Sequence, residues 1–155
     1  MGSLRRATYT DWANGLGDDS LTFFGQALFL RLILVEFDPA LDKTFLDADE
    51  ANFDGYAAGG GVIGAAVRAT SNDPATNDRL IVIPPATNGN RWETTGATHL
   101  PQVIYGYALS SDSIGLATAD IMYMDLLPEP VELSAIDQEV DVPLVRLRVN
   151  PAAVA

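Results

Sequence analysis

The sequence predicts an all-β fold: an antiparallel β-sandwich, jelly-roll-like, with one short helix and an extended N-terminal arm. Three observations predict it. Seven short segments of β-type composition (62–70, 79–83, 91–95, 102–109, 116–124, 131–136 and 142–149) recur at about ten-residue spacing. The clusters SNDPATND, PPATNGN, SSDSIG and PEP lie between them and carry the Pro, Gly, Asn and Asp residues that favour turns. No helical stretches alternate with these segments, which points to a sandwich or barrel and away from a parallel sheet.

Residues 1–20 are polar, contain Gly2, Gly15 and Gly17, and carry Arg5 and Arg6 in an otherwise acidic chain, so they read as an arm. No apolar run follows the arginines at once, as a secretory signal requires. Arg6 stands where the myristoylation pattern wants Ser or Thr. Residues 21–35, LTFFGQALFLRLILV, are the most apolar stretch. Fifteen residues interrupted by Gln26 and Arg31 are too few to cross a bilayer, which takes about 20, so the stretch reads as a buried strand or a helix capped at Asp19 or Ser20. Asp38-Pro39 ends it, because the residue before a proline is pushed out of the helical region. In LDADEANFDGY, Asp47 reads as an N-cap, Glu50 completes a capping box, and Gly55 stops a helix of at most two turns.

Within the strand region, VIYGYALS puts Tyr105, Tyr107 and Leu109 on one face and Ile104, Gly106 and Ala108 on the other. In VPLVRLRV, Leu144, Arg146 and Arg148 alternate with Val145, Leu147 and Val149, the pattern of a half-buried strand, and Pro143 suits its start. The division is therefore an arm over 1–20, one β-sandwich domain over 21–150 and a tail over 151–155. At 155 residues the chain can bury about 70% of its unfolded surface, enough for a core without metal or disulfide staples.

Composition closes several functional routes. With no cysteine, disulfides, thiolate metal sites and cysteine nucleophiles are excluded, and with one histidine so is any chemistry needing two imidazoles. The net charge of −12 argues against nucleic acid and anionic membranes as partners and favours a neutral or cationic surface. The run from Gly59 to Gly64 matches GxGxxG, with Asp78 19 residues on, but lacks the strand before and the helix after that a dinucleotide site needs. It reads as a turn feeding a strand. Asp47, Asp49, Asn52 and Asp54 form an oxygen-rich patch that fails the calcium-loop template, because Ala51 stands at its fifth position. Asp137, Glu139 and Asp141 alternate, so a strand would place all three on one face, most simply as a solvated edge that discourages edge-to-edge pairing. The other uses are a hard-cation site or a hydrolytic carboxylate pair. His99 has no triad context and reads as a turn or surface residue. Trp92, Tyr105, Tyr107 and Tyr123 offer a carbohydrate platform, although aromatics at such strand positions are more often core. Neither a catalytic residue, nor a metal, nor a cofactor is expected.

The order of segments resembles a group of small bacteriophage virion proteins. A leucine-rich strand comes first, then a short acidic helix ending in Phe53, Asp54, Gly55, Tyr56 and Ala57, then Val103, Ile104, Tyr105, Gly106 and Tyr107 before a Ser/Asp hairpin. The resemblance covers about residues 27 to 125. The Arg-bearing arm and the glycine run after FDGYA depart from it. It implies a sandwich on a phage particle: a cement or decoration protein of the capsid, often trimeric, bound to the major capsid protein or other virion proteins and passing through the host cytoplasm during assembly. Arg5, Arg6, Trp12, Arg146 and Arg148 are the expected partner-binding residues. A tail-associated fibre-tip or receptor-binding module is the alternative, and a small hydrolase using the acidic run a third reading.

Overall fold

The computed structural model describes residues 3–4, 28–39, 45–57, 59–63, 71–72, 79–83, 85–110 and 121–149. Among them the chain is β-rich and antiparallel, with one 3-10 turn. A five-stranded sheet has the order β1-β8-β7-β2-β3, where β1 is Ser3–Leu4, β2 Leu28–Ile33, β3 Gly61–Ile63, β7 Gln102–Ser110 and β8 Ile121–Leu133. A three-stranded sheet joins β4 (Ser71–Asn72), β5 (Arg79–Val82) and β10 (Arg146–Val149) with β5 in the middle, and β6 (Arg91–Glu93) pairs with β9 (Glu139–Asp141). Each smaller sheet is extended by one further bond, Val142 N–H donating to the Asn90 carbonyl beyond the β6–β9 pair and Ile83 N–H to the Val145 carbonyl beyond the β5–β10 pair.

The apolar stretch forms a strand, β2, over its described part. Leu28, Leu30 and Leu32 are fully buried on one face, in a cluster with Tyr107, Leu109 and Tyr123 of the same sheet and with Ile83, Trp92, Val140, Val142 and Val145. Ile33 on the opposite face joins Phe37, Phe45, Ala108, Ile121 and Met124. Burial on both faces explains a nearly continuous apolar run in place of alternation. Residues 21–27, where a helix cap was the other option, lie outside the described residues.

Four expectations are corrected. The PEP cluster is not a turn between two strands, since β8 runs through it. Ile104 pairs with Val131 and Gly106 with Leu126, so Leu127, Pro128, Glu129 and Pro130 stand opposite Tyr105 alone. The prolines lack an N–H for the ladder, and a wide bulge is where a sheet accepts them. The same register shift overturns the facing of Ile104, which packs in one cluster with Tyr107 and Leu109. Gly106, inside this irregularity, lets the strands close: a Cβ there would lie 2.4 Å from the Asp125 carbonyl oxygen and 2.7 Å from the Phe37 ring.

The helix is shorter than its signals suggest. A single 3-10 turn spans Asp47–Asp49 with Leu46 at the N-cap, and Asp49 Oδ2, in the place assigned to Glu50, accepts the Leu46 N–H at 2.8 Å. Glu50 is extended and bridges to Ile33 of β2, so the helix ends well before Gly55. The fourth correction is Asp137. It sits at φ +61° in the turn before β9, leaving only Glu139 and Asp141 on a shared exposed face. Arg91 on β6 reaches across to both, with Nε 2.7 Å from Asp141 Oδ1 and Nη1 3.6 Å from Glu139 Oε2.

Candidate functional site

The glycine run is a packing device. Gly60 has φ +73°, and a Cβ there would come within 2.1 Å of the Leu30 carbonyl oxygen. Gly61 opens β3, antiparallel to β2, so the run lies in a strand, and residues 64–70, where a dinucleotide site needs its helix, lie outside the described residues. Gly59 N–H donates to Glu50 Oε1 at 3.3 Å, which brings the run to the most unusual feature of the interior.

Arg31, on β2, is fully buried. Its Nη1 lies 2.9 Å from Glu50 Oε2, and its Nε donates to Ser110 Oγ at 2.8 Å. Glu50 Oε1 also accepts the Tyr56 hydroxyl proton at 2.8 Å, and the Tyr56 oxygen accepts Leu32 N–H at 3.2 Å. A buried charge has to be paired and its remaining donors satisfied, which explains why strand, acidic turn, FDGYA loop and hairpin meet here. Burial and then the charge of Glu50 push the Tyr56 phenol well above its ordinary value. The arrangement holds the sheet edge. Its groups face one another, away from solvent.

Four of the five FDGYA residues have internal duties. Phe53 and Tyr56 are core, and the Asp54 carbonyl accepts Thr95 N–H at 2.9 Å while its carboxylate accepts Thr98 N–H at 3.3 Å. Gly55 has φ +105° against the Glu93 carbonyl. Asp49 and Asn52 are likewise engaged, Asn52 in a reciprocal pair with Gln102. Among the described residues no group of three or more His, Asp and Glu side chains could hold a metal ion.

Among the described residues, two surface hollows take in residues considered above. One, of about 400 Å³, lies between the β8 bulge and the segment before β10, lined by Tyr107, Tyr123, Asp125, Pro128, Pro143 and Leu144. The Tyr123 hydroxyl donates to Asp125 Oδ2 at 3.2 Å, and the two rings are 6.3 Å apart. Burial and then the Asp125 charge push Tyr107 up to about 12, and burial and then its neighbours push Tyr123 further. A phenol raised in the folded state stabilises fully below pH ~10, its unfolded value, and loses that contribution as pH rises further. An ultraviolet titration of the five tyrosines is therefore expected to show Tyr56, Tyr107 and Tyr123 ionising late and together with unfolding. Ionisation of all five near pH ~10 in the folded protein would contradict this burial.

The second hollow, of about 520 Å³, is lined by Leu34, Asn52, His99, Pro101, Gln102 and Tyr105. His99 is exposed at φ +63° before the cis Leu100–Pro101 bond, the turn and surface position its sequence context suggests. Of the four aromatics considered for a sugar platform, Trp92, Tyr107 and Tyr123 are core, with Trp92 5.9 Å from Tyr56, and Tyr105 alone is half-exposed.

Arg5, Arg6 and Trp12 lie outside the described residues. Arg146 and Arg148 occupy alternate positions on β10, in register with Val82 and Leu80. What the residue pattern did not signal is β1: Ser3 and Leu4, at the head of the arm, pair with Met124 and Tyr123 and form the outer strand of the large sheet. Two residues are too few for a period-two pattern. Comparison with family models, with curated proteins and with solved structures gives no match to this chain.

Proposed function

We propose that this chain is a non-enzymatic structural protein of a bacteriophage virion, a cement or decoration protein that bridges capsid subunits and stabilises the head. One observation carries the reading. The N-terminal Ser3–Leu4 segment is an edge strand at the end of a long connector, residues 5–27, and main-chain pairing at a sheet edge is a general way for one chain to grip another. The virion-protein resemblance at FDGYA and VIYGY supports the same reading. So does the internal engagement of Arg31, Glu50, Asp54 and Tyr56, which makes those residues parts of a rigid body. The fold in this reading is a jelly-roll-like β-sandwich, supported by a core that draws on the five-stranded sheet and on segments of both smaller ones.

The partners in this reading are the major capsid protein or other virion proteins, with Arg5, Arg6, Trp12, Arg146 and Arg148 as contact residues and a homo-oligomer, a trimer, as the assembled form. A fibre-tip module is the second reading, favoured by Tyr105 beside His99, Asn52 and Gln102 in an open hollow where a sugar ring could stack. Quantitative mass spectrometry of purified particles separates the two. A cement protein is present in hundreds of copies per particle, whereas a handful of copies would assign the chain to the tail.

A further inference from the structure

The pairing geometry of β1 says more about its partner than its place at an edge does. Leu4 is in register with Tyr123 of β8, Tyr123 with Leu109 of β7, and Leu109 with Leu30 of β2. The strand that ends the arm therefore lies three strand spacings, about 14 Å, from the strand that begins the body. The connector between them, residues 5–27, has 23 residues and could reach roughly 75 Å if extended. Nothing in its length ties β1 to its own β8. The strand also has only two residues, so it is held there by a handful of backbone hydrogen bonds.

We infer that β1 is exchanged between copies of this chain: Ser3–Leu4 of one copy adds to the Tyr123–Met124 edge of β8 in a neighbouring copy. Each copy then gives up one pairing and receives an identical one, so the hydrogen-bond balance is unchanged and the effective concentration of neighbouring edges decides the outcome. Side by side in an oligomer or on a particle, copies present such edges within the connector's reach. The result is a set of straps that interlock neighbours by main-chain pairing, the mode in which an added strand extends a sheet. This deepens the reading above by naming a second copy as the arm's partner, and it is tested on the purified protein without any particle.

The absence of cysteine makes the test direct. One full-length chain carries Ser3→Cys and a differently tagged one Met124→Cys, positions in direct register across the β1–β8 pair. The two are mixed, concentrated and oxidised. Exchange predicts a disulfide-linked dimer carrying both tags, while Ser3→Cys with Ser134→Cys, an exposed position elsewhere, stays monomeric. If the Met124→Cys mixture yields no more dimer than this control, and a single chain bearing both Ser3→Cys and Met124→Cys closes on itself at every concentration, the strand stays at home and the inference is overturned. Met124 is buried, so cooperative melting of each variant is checked first, and Leu4→Cys with Tyr123→Cys provides a second register pair read by the same criteria. Failure of exchange with hundreds of copies per particle removes the strap alone. Dimer formation with only a few copies per particle removes the cement role alone.

Discussion

Arg31→Met is expected to lower the unfolding free energy by about 3–5 kcal/mol, because it leaves the Glu50 carboxylate buried without its cationic partner. For a chain of this size that is a fall in Tm of about 6–20 °C. The double variant Arg31→Met with Glu50→Gln recovers much of the loss. The amide oxygen still accepts from Tyr56 and Gly59, while the buried charge is gone. Thermal or urea unfolding of the two variants beside the parent checks this. A parent-like melting curve for Arg31→Met alone would mean that Arg31 reaches solvent and that the pair does not organise the interior.

The second large effect is expected at Trp92. Its side chain is buried against Tyr56, and a Cβ on Gly61 would lie 3.1 Å from its ring. Trp92→Ala is expected to cost about 3–5 kcal/mol, the range for emptying such a site. Tyr105→Ala, at a half-exposed position, is expected to cost about 1 kcal/mol or less. The contrast matters for function. If Trp92 served a sugar platform, its loss would abolish binding and spare the fold. Of the four aromatics weighed for a platform, Tyr105 is the one placed for sugar contact, so a glycan array probed with the parent and with Tyr105→Ala reports on the fibre-tip reading with the fold intact.

Much of the architecture was legible because it is written in local pattern. The 79–83, 91–95 and 102–109 segments fall on β5, β6 and β7 to within two residues, and the PPATNGN turn between the first two follows from Pro, Gly and Asn chemistry. Where pattern failed, a tertiary demand outweighed a local one. Glu50 stands three residues after Asp47 and satisfies the spacing of a capping box, yet the buried Arg31 on β2 needs a carboxylate and takes it. A cation inside an apolar run announces that such a partner exists, but not that it lies 19 residues away, nor that Ser110, 79 residues away, completes the set. Pro128 and Pro130 signal a break in hydrogen bonding, and whether the break is a turn or a bulge depends on the partner strand. The bulge in turn inverts side-chain alternation, which is why Ile104 faces the large core.

Of the candidate site, residues 5–20, read as an arm from their glycines and arginines, lie outside the described residues. The edge strand before them was not legible, because Ser3 and Leu4 carry no strand signature of their own and owe their conformation to β8. Arg146 and Arg148 were placed on a strand and lie on one.

In the proposed role the chain holds a capsid together through its arm. It is tested most directly by heating particles that carry the full-length protein, particles that lack it, and particles reconstituted with protein lacking residues 1–20. Full-length particles are expected to survive to the highest temperature, and the truncated protein to fail to restore that stability or to reach full occupancy. Equal occupancy and equal thermal stability with and without residues 1–20 would contradict it.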